Sequence, residues 1–227
     1  MTKNKLSRGK LIVLDGTDGA GKTTQLHFLV RRLKKEGRRV AVQDFPRYGQ
    51  KSAGLVEEYL DGRYGNIRKL GPYVPSIFYA ADRFAASSAI RDYLRRGYVV
   101  ICNRYVTANM GHQGAKIKNA RERREFFRWL TRLEYGLFNI PQPDLHIFLY
   151  MPPAVAQKLA AKKWQSGRGV RRDVHETDLA HLRAAARIFR EVARLLKQPL
   201  IDCAPRGHIR KPGEIAEDVY AIVKESI

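Results

Sequence analysis

The residues most able to do chemistry form a loop at positions 16–23, which reads Gly-Thr-Asp-Gly-Ala-Gly-Lys-Thr and matches the pattern G-x-x-x-x-G-K-[ST]. Glycines let backbone amides point at an anion, and the N-terminus of a following helix adds partial positive charge. Lys22 can reach the outer phosphates of a nucleoside triphosphate, and the Thr23 hydroxyl suits Mg²⁺. The residues predicted to bind this nucleoside triphosphate are Gly16, Thr17, Asp18, Gly19, Ala20, Gly21, Lys22, Thr23 and Thr24.

The flanking sequence supplies the strand and the helix that this loop requires. Residues 11–14 are apolar, and Leu26, Leu29, Val30 and Leu33 lie on one face of a helix. Later apolar runs lack polar alternation, as buried parallel strands do, and helical patterns separate them. These runs are 40–42, 98–102, 145–150 and 200–201. The order predicts an α/β fold, a three-layer, doubly wound, five-stranded parallel sheet with ligands at the carboxyl ends of its strands.

A later helical segment is predicted from residues 126–137. Phe126, Leu130, Leu133 and Leu137 are spaced to share one face of a continuous helix. We expect this face to be apolar and buried, either in the core or between two copies of the chain.

The composition narrows the classes of partner. Forty-three Lys and Arg against 22 Asp and Glu give a net charge of +21, which favours nucleotides, nucleic acid or an acidic membrane surface. No recognition module accompanies the basic residues, so specific nucleic-acid binding is not expected. Cys102 and Cys203 lie in apolar runs without a C-x-x-C pair, as in a reducing compartment. With no apolar run of about 18 residues and no signal-peptide pattern, we expect a cytoplasmic protein.

Three arginines are candidates for holding a second, phosphate-bearing substrate. Phosphoryl transfer needs cations over the charge of the transferred group. Arg47, Arg83 and Arg104 each follow a strand or begin a helix on the loop's side of the sheet, and their forked donors suit phosphate oxygens or a base edge. Arg83 lies one helical turn after Tyr79, so the two side chains could stack on and read a flat base. Plain packing of two neighbouring side chains would give the same spacing.

Residues 162–172 form a basic segment that contains two glycines among its Lys and Arg residues. Such a flexible basic loop is a candidate lid over a triphosphate, although a solvated run of charges has the same composition. Its basic residues are Lys162, Lys163, Arg168, Arg171 and Arg172.

Several motifs in order give the chain a resemblance to the thymidylate kinase family over nearly its full length. They are residues 14–25 (LDGTDGAGKTTQ), 45–49 (FPRYG), 78–83 (FYAADR), 103–106 (NRYV) with 112–115 (HQGA), and 173–176 (DVHE). The glycine loop alone is shared with many ATPases and GTPases, whereas the FPR and ADR elements are far more specific. The resemblance implies one kinase domain over 1–227 with a lid around 162–173. It further implies phosphorylation of dTMP to dTDP with ATP and Mg²⁺, and a homodimer.

The resemblance also implies roles for individual residues. Asp18 accepts a hydrogen bond from the 3′-hydroxyl of dTMP, Arg47 and Arg104 hold its phosphate, Tyr79 stacks on thymine, and Arg83 donates to a thymine carbonyl. The other residues implied at the monophosphate site are Phe45, Pro46, Tyr48, Asn109, His112 and Gln113.

Catalytic cations are implied in the loop, after the third strand and in the lid. Family members without an arginine in the glycine loop, like this chain, use a catalytic arginine of the lid. Arg168, which lies between two glycines, is the first candidate for this arginine. Asp173 and Glu176 match carboxylates that steady the lid, or they simply begin a helix with favourable charge. The predicted catalytic residues are Lys22, Arg104, Arg168, Arg171 and Arg172.

Two positions depart from the family pattern. Asn103 stands where an Asp usually helps hold Mg²⁺ through water, and His112 stands where many relatives have Tyr. Asn103 keeps an oxygen but removes a negative charge, which Asp15 could supply instead; the predicted metal set is therefore Thr23, Asp15 and Asn103. Two alternatives stay open, namely a kinase of another deoxynucleoside monophosphate and a nucleotide-binding relative with weakened catalysis.

Overall fold

The computed structural model describes residues 8–65, 70–165 and 179–227, with only the backbone for 160–165. Its strands are β1 (Lys10–Gly16), β2 (Val40–Asp44), β3 (Val99–Asn103), β4 (Leu145–Tyr150) and β5 (Leu200–Asp202). Its α-helices are α1 (Lys22–Lys35), α2 (Gly54–Leu60), α3 (Tyr73–Arg95), α4 (Val106–Gly114), α5 (Ala120–Thr131), α6 (Pro153–Gln165), α7 (Leu179–Leu195) and α8 (Pro212–Lys224). Short 3₁₀ turns cover Lys51–Ala53 and Pro205–Gly207, and a π-helix covers Arg132–Leu137.

The five strands form one parallel sheet in the order β2-β3-β1-β4-β5, which confirms the predicted fold. The chain fills one side of β1 with β2 and β3 and then the other side with β4 and β5. The carboxyl end of β1, followed by the glycine loop, is therefore the point at which the winding reverses, where open α/β sheets bind ligands. In this register Asp44 of β2 lies beside Asn103 of β3.

Two apolar clusters cover the faces of the sheet and make the three layers. Leu11 and Val13 of β1 face the cluster packed with α3, α4, α5 and α7, whereas Ile12 and Leu14 face α1 and α8. All four side chains are fully buried. A continuous apolar strand is thus explained, because both of its faces are covered.

The predicted helical segment over 126–137 is present, but its second half is a π-helix and not an α-helix. The α-helix α5 ends at Thr131 and continues as the π-helix, whose wider turn shifts the facing of every later residue. Leu137 is 77% exposed, so of the two predicted burials of this face, in the core or between two copies of the chain, the core does not hold for Leu137, whereas Glu134 is fully buried. Glu134 lies four residues after Leu130 and seven after Phe127, so this charged residue enters the interior on the face that α5 buries. No helix of the described ranges is long and apolar enough to cross a membrane.

Candidate active site

The glycine loop is held in shape by its own backbone and by β4. Gly16, Gly19 and Gly21 have φ values of 123°, 74° and 81°, and a Cβ on Gly16 would lie 2.0 Å from the carbonyl oxygen of Leu149. Only glycine fits a backbone approach this close. Lys22 follows at the start of α1, and its Nζ donates to the carbonyl oxygens of Gly16 at 3.0 Å and Thr17 at 2.8 Å. Burial and the neighbouring Arg104 lower the pKa of Lys22 to about 8.

One cavity of about 430 Å³ joins this loop to the predicted monophosphate site. Its volume is in the usual range for a small-molecule site. The predicted residues that line it are Asp18, Gly19, Gly21, Lys22, Thr23, Thr24, Phe45, Pro46, Tyr48, Tyr79, Arg83, Asn103, Arg104, Asn109, His112 and Gln113. Asp44 and Ala108 line it as well and were not predicted. Residues from four separate segments of the sequence are thus brought together.

Arg104 is the central cation of the cavity. It has a positive φ of 62° directly after β3, and its Nη2 donates to Asp18 Oδ1 at 2.7 Å while Nη1 lies 2.9 Å from His112 Nε2. Arginine has no acceptor, so His112 accepts through Nε2 and carries its proton on Nδ1. Burial lowers the pKa of His112 to about 3, which leaves the ring neutral at pH 7.

Asp18 is the carboxylate that balances these cations. Burial by itself raises its pKa, but His112 in its protonated form, Arg104 and Lys22 together hold the pKa of Asp18 well below the usual range. Lys22 Nζ lies 3.9 Å from its Oδ1. Asp18 is therefore ionised, an acceptor placed between the phosphate-binding loop and the rest of the cavity.

Arg47 does not line the cavity, although its neighbours Pro46 and Tyr48 do, and its side chain is fixed by Asp82 of α3. The Asp82 carboxylate accepts from the Arg47 backbone N at 2.8 Å and from its Nε at 3.0 Å, and Nη2 donates to Ser52 Oγ at 2.7 Å. Asp82 is buried, whereas the Arg47 side chain is 22% exposed. Asp82 belongs to the motif at 78–83, but no role was predicted for this residue.

Arg83, one residue further along α3, is held by a different carboxylate. Its Nε and Nη2 donate to the two Glu134 oxygens, each at 2.6 Å, and both side chains are at most 2% exposed. The ion pair outweighs burial and raises the pKa of Arg83. Glu134 was missed because the predicted face was made of apolar residues alone, although a spacing of four from Leu130 places Glu134 on the face that α5 buries.

The remaining side chains form the apolar and hydrogen-bonding walls of the cavity. Tyr79 packs edge-to-face against Tyr59 with ring centroids 6.4 Å apart, and Tyr48 is 60% exposed at the rim. Asn109 Nδ2 donates to the Ser76 carbonyl at 3.1 Å. Gln113 Oε1 is buried and has no hydrogen-bond partner among the described residues. An unsatisfied acceptor in a cavity wall favours a ligand that brings an N–H or O–H donor.

The predicted metal residues lie at two different depths. Thr23 and Asn103 line the cavity. Asp15 is fully buried, accepts from Thr107 Oγ1 at 2.7 Å and from the Gly16 backbone N at 2.9 Å, and does not line the cavity. Desolvation raises the pKa of Asp15.

The cavity nonetheless offers oxygen ligands that fit Mg²⁺. Asn103 Nδ2 donates to Asp44 Oδ1 at 2.8 Å, and the buried Asn103 Oδ1 has no hydrogen-bond partner within the described ranges. In the described part of the chain no group of three or more His, Cys, Asp or Glu is placed to enclose a metal. Mg²⁺ in phosphate sites commonly takes one or two carboxylates together with waters and substrate oxygens, so a partial set of this kind fits.

The predicted lid cannot be placed in this geometry. Arg168, Arg171, Arg172, Asp173 and Glu176 lie outside the described residues. Lys162 and Lys163 belong by their backbone to α6.

Comparison with known proteins agrees with the motifs and the cavity. The family model described as thymidylate kinase matches residues 14–201. A thymidylate kinase of Mycobacterium tuberculosis (strain ATCC 25618 / H37Rv) is 33% identical over 186 residues, covering 81% of this chain and 85% of the relative. A probable thymidylate kinase of Pyrobaculum aerophilum is 30% identical over 217 residues, covering 95% and 97%.

The fold agrees with a solved structure as well. A thymidylate kinase structure from Candida albicans superposes with a TM-score of 0.71 at 20% identity, covering 96% of this chain and 92% of that one. At this identity the match supports the fold, while the matched family model and the relatives carry the assignment. On these grounds the chain belongs to the thymidylate kinase family.

Proposed function

We propose that this chain transfers the γ-phosphoryl group of ATP to dTMP and releases dTDP and ADP. The observation that carries the proposal is the shared cavity, in which Lys22 of the phosphate-binding loop and Arg104 line the same space. Phosphoryl transfer depends on holding donor and acceptor in line more than on covalent help from the protein. A single cavity that is lined both by the phosphate-binding loop and by the aromatic ring of Tyr79 meets that need.

On the donor side, the loop amides and Lys22 hold the ATP phosphates. The Lys22 ammonium already lies against two loop carbonyls, so the loop fixes its position before nucleotide enters. A positive charge of fixed position stabilises the charge on the transferred group without reorganisation. Thr23, Asn103 and Asp44 are the residues that would hold Mg²⁺, which neutralises phosphate charge when bound.

On the acceptor side, the arginines hold dTMP with donors that their carboxylate partners leave unused. Arg83 uses Nε and Nη2 for Glu134, which leaves Nη1 for a base carbonyl. Arg47 uses Nε and Nη2 for Asp82 and Ser52, which leaves Nη1 for phosphate. Tyr79 supplies a ring face for the thymine, and the unsatisfied Gln113 Oε1 suits a donor on the nucleotide.

A panel of monophosphates tests the proposal. Coupled ADP release is measured with dTMP, dUMP, dCMP, dGMP and AMP in the presence of ATP and Mg²⁺, and we expect dTMP to give the highest kcat/KM. Arg104→Gln should reduce kcat/KM by at least ~10²-fold, because the substitution removes the positively charged guanidinium at the centre of the cavity. Arg96→Gln, an exposed arginine away from the cavity, is the matched control. Absence of turnover with every monophosphate would overturn the proposal, and preference for another monophosphate would reassign the substrate.

The remaining expectations belong to the same proposal. We propose a single kinase domain with a lid around 162–173 that supplies a catalytic arginine, acting in the cytoplasm without specific nucleic-acid binding. Exposed apolar side chains on α3 and beyond α5, among them Phe84 and Leu137, support a homodimer. Light scattering tests the homodimer. Binding to arbitrary DNA that persists at physiological salt would contradict the nucleic-acid expectation.

A further inference from the structure

The end of β2 contributes a carboxylate that the established motifs do not include. Asp44 lies beside Asn103 in the sheet register, is exposed, and lines the cavity with the glycine loop. Asp44 is the last residue of β2 and immediately precedes Phe45, so it lies at the end of the sheet where the cavity is found.

Of the carboxylates in the described residues, Asp18 and Asp44 line the cavity. Asp18 is taken by cations, with Arg104 Nη2 at 2.7 Å and Lys22 Nζ at 3.9 Å. No Lys, Arg or His in the described ranges forms an ion pair with Asp44, and its hydrogen bond is the one that Asn103 Nδ2 donates to Oδ1. Asp44 Oδ2 is left for a ligand. An unpaired carboxylate beside a phosphate-binding loop repels phosphate unless a cation lies between them.

The orientation of Asn103 points to the same ligand. Because an ionised carboxylate only accepts, Asn103 must turn its Nδ2 toward Asp44, and its Oδ1 is thereby fixed on the other side of the amide. Asn103 is 5% exposed, and this Oδ1 has no hydrogen-bond partner among the described residues. A buried, unsatisfied oxygen next to an unpaired carboxylate is a set of donors suited to a hard divalent cation.

We propose that Asp44 and Asn103 act as one metal-holding pair, in which Asp44 supplies the negative charge and Asn103 an oriented oxygen toward the Mg²⁺ that accompanies ATP. The inference rests on the proposed function, because it needs the metal–nucleotide complex as ligand. The fully buried Asp15, engaged by Thr107 and the Gly16 amide, is then a structural carboxylate. The negative charge that Asn103 lacks lies on the neighbouring strand.

The test separates metal affinity from nucleotide affinity. Mn²⁺ binding is followed by electron paramagnetic resonance with a saturating imido analogue of ATP, and binding of the same analogue is measured in EDTA. We expect Asp44→Asn to weaken Mn²⁺ about tenfold, or about 1.4 kcal/mol. In EDTA the variant should bind the analogue as tightly as the wild type or more tightly, since a negative charge near the phosphates is gone.

Two further variants complete the design. The exchanged pair, Asp44→Asn with Asn103→Asp, should restore Mn²⁺ affinity to within about threefold, because the charge and the hydrogen bond return with their positions exchanged. Asp92→Asn removes an exposed carboxylate away from the cavity and controls for net charge.

The outcomes distinguish this inference from the proposed function. Unchanged Mn²⁺ affinity in Asp44→Asn, or equal weakening of the analogue with and without metal, overturns the metal-holding pair while the kinase proposal stands. If the wild type binds no nucleotide under either condition, both proposals fall.

Discussion

Removal of the Glu134 carboxylate should show how strongly the buried pair with Arg83 holds the acceptor site. Both side chains are at most 2% exposed and share two hydrogen bonds of 2.6 Å. Removing one partner of such a pair leaves a buried, uncompensated charge and costs about 3–5 kcal/mol. For a domain of ordinary stability, about 5–15 kcal/mol, this is a large share. Glu134→Ala should therefore lower the melting temperature by about 6–20 °C, at about 2–4 °C per kcal/mol.

A double-mutant cycle gives the sharper result. Arg83→Met together with Glu134→Met removes both charges and refills the volume with apolar atoms, so the double variant should be more stable than either single variant. Unfolding in guanidinium chloride measures all four proteins. Additive losses, with a coupling energy under about 0.5 kcal/mol, would refute the reasoning, because they would mean that neither charge depends on the other.

A second ion pair of the same chemistry provides the control. Arg123 and Glu191 join α5 to α7 at 2.8 Å, but Glu191 is 25% exposed and Arg123 Nη1 also donates to the Ile117 carbonyl. Water and that carbonyl can compensate Arg123, so Glu191→Ala should cost less than Glu134→Ala. Only the Glu134 variant should also raise the KM for dTMP.

Three further perturbations test other parts of the site. Asp82→Asn removes the anion that orients Arg47, so the KM for dTMP should rise about tenfold while the KM for ATP stays within about twofold; equal changes would contradict a positioning role. Lys22→Met should lower kcat by ~10²–10³-fold, and a kcat within about threefold of the wild type would contradict its role. Burial lowers the pKa of His112 from 6.5 to about 3, so the unfolded chain binds more protons between these values and stability should fall as pH drops through this window. In His112→Gln the free energy of unfolding, measured in urea, should fall less steeply as the pH drops. A pH profile equal to that of the wild type would contradict the assignment. His146, whose pKa burial lowers to about 4, remains in both proteins.

The parts of the fold that the sequence predicts are those encoded by neighbouring residues. Apolar runs without alternation identify buried strands, and all five predicted runs fall within or overlap β1 to β5. The glycine loop is predicted because the spacing of its glycines and of the following Lys-Thr pair is typical of a phosphate-binding loop. Most of the predicted substrate residues line one cavity because their segments follow β1, β2 and β3, and the carboxyl ends of parallel strands meet at one edge. Tyr79 and Arg83 reach the same cavity from within α3.

The partners of the site residues could not be predicted in the same way. Glu134 comes into contact with Arg83, 51 positions away, and its spacing from Leu130 indicates that it faces inward but not which residue it meets. Asp82 and Asp44 were visible, but their roles depend on tertiary placement and on the register of β2 against β3. Which carboxylate balances which cation is set by tertiary distance, and no local spacing encodes that choice.

The three carboxylate partners explain how the candidate site can hold several arginines, two of them in the cavity wall, before substrate arrives. Arg47, Arg83 and Arg104 are each bonded to one carboxylate, those of Asp82, Glu134 and Asp18. A guanidinium has five N–H donors in one plane, so it can bind a structural carboxylate and still present donors to a ligand, whereas a lysine ammonium offers no second fixed direction. Orientation is then settled during folding, and substrate binding loses less conformational entropy. The same arrangement makes each carboxylate a determinant of substrate affinity, although none of the three need lose its charge in the reaction.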